Sequence, residues 1–286
     1  MENKNTIEFL NNDDAYFAHK ALSASQIKTY ATGGAYDFWK TSVFNPDRIE
    51  TPETDALIFG KLAHCMLFEP AEVEKRFLIM DWGTKTRGTK KHEEAKAANP
   101  DKILVSPDEY QKAGRMLSAL MDHRLAREII KDAYCEVPFA WTDEQTGLPC
   151  KAKIDAYKNT PYGLVLIDYK TSSDIDGLLK WCEKLQYPLQ DAFYCEAAKA
   201  RYGKEPIEFV FIIQSNKDGE EDKICVANVG IDSRGYAKGV LEYTKNQIAK
   251  KLKQWEETGD KSIWAAYPER QTMEYSNWYM TRGLGF

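Results

Sequence analysis

Two carboxylates and a lysine stand in a pattern that suits phosphodiester hydrolysis. Asp155 lies in the apolar run Ala152-Lys153-Ile154-Asp155-Ala156-Tyr157, and Asp168 and Lys170 lie in Leu164-Val165-Leu166-Ile167-Asp168-Tyr169-Lys170-Thr171. Both runs predict strands, and Lys158-Asn159-Thr160-Pro161-Tyr162-Gly163 between them supplies turn chemistry. Strand side chains alternate, so Asp168 and Lys170 share a face and Tyr169 takes the other. Pairing of the runs as a hairpin brings Asp155 beside Asp168. Carboxylate oxygens of this kind bind a hard divalent cation such as Mg2+. The ion polarises a phosphoryl oxygen and acidifies a water, and the lysine offsets charge as the bond breaks. A buried Asp–Lys pair or a solvated strand end would give the same three residues, so the rest of the chain decides.

Two further pairs point to the same place. Gly60 and His64 are four apart in an apolar helical stretch, with the imidazole leaning back over the glycine and room beside it for an ion or a DNA strand. A core histidine is the competing explanation. Gln190 and Tyr194 are also four apart, and an amide beside a phenol can bind a phosphate and a base or sugar edge. An ordinary amphipathic flank has the same spacing. Basic residues cluster at Lys85, Arg87, Lys90 and Lys91, and again at Lys245, Lys250, Lys251 and Lys253. Either cluster can meet phosphates or form a solvated face.

The elements that must position these groups follow from periodicity and caps. Ser23 precedes a helix carrying Ile27 and Tyr30; residues 54–69 read as a mostly buried helix; Ser106-Pro107 opens a helix expected to run to residue 131. Residues 81–101 read as a mobile basic loop or a frayed helix. A strand at 135–142 precedes the Asp155 and Asp168 strands. A helix over 188–202, a hairpin of 207–214 with 223–229, and a long helix over 233–257 complete the chain. This order predicts an α/β fold, a central mixed sheet flanked by helices.

The chain has 286 residues, 43% of them hydrophobic, enough for a sizeable core. One domain over 1–286 is expected, with its core at about 22–230 and a C-terminal helix and tail over 231–286. No apolar run reaches the ~18 residues of a membrane span. The N-terminal residues lack a signal-peptide pattern, so a cytoplasmic location is expected. Cys65, Cys135, Cys150, Cys182, Cys195 and Cys225 form no C-x-x-C pair and read as reduced packing residues. The net charge of −5 weighs mildly against a nucleic-acid partner, but metal nucleases gather acids at the site and bases along the track.

Five motifs in order resemble a known family. They are Leu22-Ser23-Ala24-Ser25-Gln26-Ile27, Phe59-Gly60-Lys61-Leu62-Ala63-His64, Thr146 through Asp155, Asp168-Tyr169-Lys170-Thr171, and Gln190-x-x-x-Tyr194. Together they resemble the RecE-type (exodeoxyribonuclease VIII-like) phage and prophage exonucleases of the PD-(D/E)XK superfamily, the branch that includes lambda exonuclease and the RecB nuclease domain. The resemblance covers about residues 22–200, with Trp264-Ala265-Ala266-Tyr267 as an added match. It implies a restriction-endonuclease-like core in which His64, Asp155, Asp168 and the Tyr169 main-chain carbonyl hold Mg2+, with Mn2+ able to substitute. Lys170 would orient or activate the attacking water. Gln190, Tyr194 and Ser25 would support the site and the DNA end, with Lys85, Arg87 and Lys90 on the DNA track and Glu136 as an acid behind the ligands. The cysteines that flank iron–sulfur relatives are missing, so no cluster is expected.

The implied activity is 5′→3′ degradation of one strand of linear duplex DNA, giving 3′ overhangs for recombination. The implied partners are DNA ends, a single-strand annealing protein of the RecT/beta type, and further copies of the chain in a trimeric or tetrameric ring, in the cytoplasm of a bacterial host. A structure-specific or restriction-like endonuclease, or a non-catalytic DNA-binding subunit of a larger recombination complex, are the alternatives.

Overall fold

A computed structural model of the chain describes residues 7–10, 13–83, 86–177, 182 and 184–267. Along the chain run β1 (Glu8–Phe9), α1 (Asp13–Ala18), α2 (Ala24–Thr41), α3 (Asp55–Phe68), α4 (Val73–Arg76), β2 (Phe77–Ile79), α5 (Lys90–Ala98), β3 (Ile103–Val105), α6 (Pro107–Asp122) and α7 (Arg124–Ile130). Then come β4 (Tyr134–Thr142), β5 (Pro149–Thr160), β6 (Gly163–Ser172), α8 (Tyr187–Tyr202), β7 (Glu208–Ser215), β8 (Ile224–Asn228) and α9 (Ile231–Thr258), followed by a 3₁₀ turn at Lys261–Trp264.

Six strands form one sheet in the order β1-β4-β5-β6-β7-β8, antiparallel throughout except for the parallel β6–β7 pair. The parallel pair needs a crossover, which α8 supplies. β5 and β6 occupy the centre, as expected. β2 and β3 make a separate parallel pair.

Alternation along the strands builds a core on each face of the sheet. In β6 and β7, Leu164, Leu166, Phe209, Phe211 and Ile213 pack with Ile27, Phe193, Ala197 and Leu241 of α2, α8 and α9. The intervening Ile167, Tyr169, Val210 and Ile212 pack with Phe59, Leu62, Met116 and Leu120 of α3 and α6. The molecule is therefore a three-layer α/β/α arrangement. The match to Trp264 has a physical basis: its indole stacks on Trp39, centroids 4.4 Å apart and planes 4° from parallel, tying the 3₁₀ turn to α2.

Helix ends follow the sequence closely. The Ser23 N–H donates to Gln26 Oε1 at 3.2 Å in a capping box that starts α2. Ser106 and Glu109 form another at α6, with Pro107 in the first turn. The expected helix over 107–131 is two helices. His123 leaves helical geometry (ψ 107°), and its Nδ1 accepts the Ala126 N–H at 3.2 Å to start α7. Within 81–101, expected as a loop or a frayed helix, residues 90–98 form a helix, α5, capped by Thr89.

Candidate nuclease site

β5 and β6 pair up to Ala156 opposite Ile167, and one step further the same register sets Asp155 against Asp168. There the strands part. Ala152 and Ile154 pack in the α2/α8/α9 core while Ala156 packs in the α3/α6 core, so strict alternation breaks at Asp155. The Tyr169 N–H, freed from β5, donates to Asp155 Oδ2 at 3.0 Å. The break lets one hairpin offer carboxylates to both helical layers.

From the α3 side, His64 Nε2 lies 3.2 Å from the same Asp155 oxygen. Its ring also packs on Phe68, centroids 4.9 Å apart. The sequence placed Gly60 beside His64 to leave space. An alanine Cβ there would meet Thr171 Oγ1 at 3.5 Å, an ordinary contact, so the glycine is not sterically required. From the α8 side, Gln190 Nε2 donates to Asp168 Oδ1 at 2.7 Å. Lys170 makes a close ion pair with Asp168 Oδ2. On the opposite face Tyr169 donates its hydroxyl to Gln214 Oε1 at 2.7 Å, which anchors β6 to β7.

These contacts separate the two acids electrically. Burial pushes the Asp155 carboxyl up, but His64, Lys170 and the Tyr169 N–H outweigh it and hold Asp155 below the usual carboxylate range. Asp168 is raised to about 6, because burial, with Asp155 adding to it, outweighs Lys170. Burial alone would lower the Lys170 ammonium, yet Asp168 and Asp155 hold it above its ordinary value. Lys170 is thus protonated at neutral pH and acts as a cation.

Asp155, Tyr169, Lys170 and His64 line an open cleft of about 880 Å³, whose walls also carry Lys61, Lys75, Arg76 and Lys153. Its lining includes the Asp155 carboxylate, an oxygen ligand of the kind hard divalent ions take, and the His64 imidazole, a nitrogen ligand. Among the described residues no three His, Cys, Asp or Glu side chains already converge on one ion-sized point. In this arrangement His64 contacts Asp155 and Lys170 pairs with Asp168, the acids that a divalent ion would engage.

The remaining expected residues scatter. Gln190 is 4% exposed and is spent on Asp168 and Lys28. Tyr194 is half-buried between Phe193 and Phe209. Ser25 is exposed on the first turn of α2. Arg87 points inward, 11% exposed, to Glu109 at 2.8 Å, Asp55 at 3.2 Å and the Leu104 carbonyl, so its guanidinium is engaged within the fold. Lys90 stays on the surface, 90% exposed. Lys85 and the Glu136 side chain lie outside the described residues. The second basic cluster breaks up: Lys245 is buried against Asp143 (2.6 Å) and Glu196 (2.7 Å), and Lys251 donates to the Ile263 carbonyl. One residue of the site went unnoticed in the sequence. Lys28 of α2 donates to Gln190 Oε1 at 3.0 Å, and only its place three residues after Ser25 could have drawn attention to it.

Paired carboxylates and a lysine on a parted central hairpin, braced by helices on both faces, define a PD-(D/E)XK nuclease-like protein. The comparisons agree. The PDDEXK-like domain of unknown function (DUF3799) matches residues 23–267, and the chain belongs to that family. A crystal structure from Eubacterium rectale, described as a "Putative exonuclease", has the same fold at a TM-score of 0.55. The two are 14% identical over 93% of this chain and 94% of that one. No curated protein matches the chain. Among the described residues no helix is long and apolar enough to cross a membrane.

Proposed function

We propose that the chain is a Mg2+-dependent 5′→3′ exonuclease that digests one strand of linear duplex DNA and leaves 3′ single strands for phage-type recombination. The observation that carries this reading is the parting of β5 and β6 at Asp155, which sets Asp155, Asp168 and Lys170 together beside an open cleft whose walls carry both basic and acidic side chains. His64, Asp155, Asp168 and the Tyr169 carbonyl would hold the ion, and Mn2+ would serve in its place. When bound, Mg2+ supplies Lewis acidity at the phosphoryl oxygen and a more acidic water.

The chain's own residues do the rest. Lys170 Nζ orients or activates the attacking water and offsets charge on the phosphate. Lys153 and, by exchange from their pairs with Glu53, Glu72 and Glu69, Lys61, Lys75 and Arg76 would meet the phosphates along the cleft. Gln190 fixes Asp168. The proposed assembly is a ring of three or four copies around DNA, with a single-strand annealing protein taking up the product strand.

The test is a time course on duplexes labelled at one end, with sedimentation of the same sample. Early release of 5′ label with persistent 3′-labelled strands, from a trimer or tetramer, supports the reading. A micromolar monomer removes the ring, and early release of 3′ label reverses the polarity.

A further inference from the structure

The site holds a lysine that the chemistry above does not use. Lys28 comes from α2, far ahead of the catalytic hairpin in sequence, yet its Nζ donates to Gln190 Oε1 at 3.0 Å across 162 residues. The other end of that amide donates to Asp168 Oδ1 at 2.7 Å, and Lys170 takes Oδ2. Gln190 and Asp168 are both buried, at 4% and 1% exposure.

An amide can be turned end for end with almost no change in shape. Here it sits between an ammonium, which only donates, and a carboxylate, which only accepts. One orientation satisfies both neighbours, with oxygen toward Lys28 and nitrogen toward Asp168. The reverse would set oxygen against carboxylate and nitrogen against ammonium. Lys28 and Asp168 together fix which end of Gln190 meets the acid. Burial and the nearby Lys170 lower the Lys28 ammonium to about 8, so a second cation is kept here against an electrostatic penalty.

We propose that Lys28 is a positioning residue of the nuclease site, acting through Gln190 to hold Asp168 Oδ1 and so fix the carboxylate whose Oδ2 pairs with Lys170. The proposal rests on the nuclease reading for its effect on rate, but not for the contact itself. Partners that orient a metal-binding side chain typically account for about 10- to 100-fold in activity.

The experiment compares Lys28→Met, Lys28→Gln, Lys28→Arg, Gln190→Leu and the Lys28→Met/Gln190→Leu double variant. The measured quantities are kcat and KM on linear duplex with saturating Mn2+, and DNA-end affinity in EDTA. Lys28→Met and Lys28→Gln should lower kcat by about 10- to 100-fold with KM and metal-free DNA affinity unchanged. Lys28→Arg should restore most of the rate. The double variant should be no slower than Gln190→Leu alone, because both substitutions cut one chain of contacts.

Additive losses, or a loss that appears in DNA affinity, would overturn the proposal; the latter would make Lys28 a direct phosphate ligand. A metal-free measurement separates this idea from the nuclease reading. The Gln190 side-chain NH2 signal, assigned by its loss in Gln190→Leu, should be protected from hydrogen exchange in the wild type and lose that protection in Lys28→Gln. Unchanged protection contradicts the positioning role even if DNA is cleaved. Lost protection with no DNA cleavage by the wild type leaves the contact standing and removes the nuclease reading.

Discussion

Asp155 Oδ2 accepts the Tyr169 N–H at 3.0 Å and lies 3.2 Å from His64 Nε2, so one carboxylate oxygen joins the parted edge of β6 to α3. The strand break and the helical histidine are thus two halves of one feature. That makes Asp155 structurally as well as chemically exacting. We predict that Asp155→Ala and Asp168→Ala each abolish DNA hydrolysis at saturating Mg2+ while DNA binding is kept or tightened, since negative charge is lost. Retained cleavage in either variant, by gel assay, contradicts the assignment.

Lys170 separates binding from chemistry. Its ammonium is held up by Asp168 and Asp155 against the effect of burial. Lys170→Ala should leave Mn2+ binding by calorimetry nearly intact and slow single-turnover cleavage by roughly 10²–10⁴-fold. Equal losses of metal affinity and rate would make it structural.

The histidine has a rescue signature. His64→Ala removes one neutral donor and the partner that keeps Asp155 ionised, so Mn2+ affinity should fall and a higher Mn2+ concentration should partly restore the rate. A variant that only unfolds earlier on heating, and cleaves normally once folded, would return His64 to the core.

The acids also set a pH dependence. Asp168, raised to about 6, must lose its proton to serve as a ligand, so metal binding and cleavage should rise with pH through that region and fall below it. Metal and proton compete for the carboxylate, so more Mn2+ should move the acid limb to lower pH. A profile flat from pH 5 to 7 at sub-saturating Mn2+ speaks against this.

How much of this was legible in the chain differs from residue to residue. The hairpin, its central place and the cap at Ser23 follow from local patterns: alternation, turn chemistry, a serine before an apolar helix. Lys245 does not. Its partners Asp143 and Glu196 are 102 and 49 residues away, so in sequence it looks like one more surface lysine among three others. Arg87 misleads for the same reason, since Glu109 lies 22 residues on. Lys28 was missed because Gln190 reaches it across 162 residues. The split at His123 has no glycine or proline to announce it; a side-chain cap makes the break.

The buried lysine gives a stability prediction independent of activity. Lys245→Ala leaves Asp143 and Glu196 facing each other without their cation, and should cost roughly 3–5 kcal/mol in urea denaturation. Lys90→Ala, on the surface, should stay within about 0.5 kcal/mol. Equal effects would mean that the Lys245 ion pairs do not hold α9 in place.

The most direct test of the central claim places the isolated protein with end-labelled linear duplex and with closed circular DNA, with and without Mg2+. The account predicts digestion of the linear molecule only when Mg2+ is present, with the closed circle intact. Rapid loss of the circle would identify an endonuclease, and no cleavage of either under any divalent ion would contradict hydrolysis by Asp155, Asp168 and Lys170.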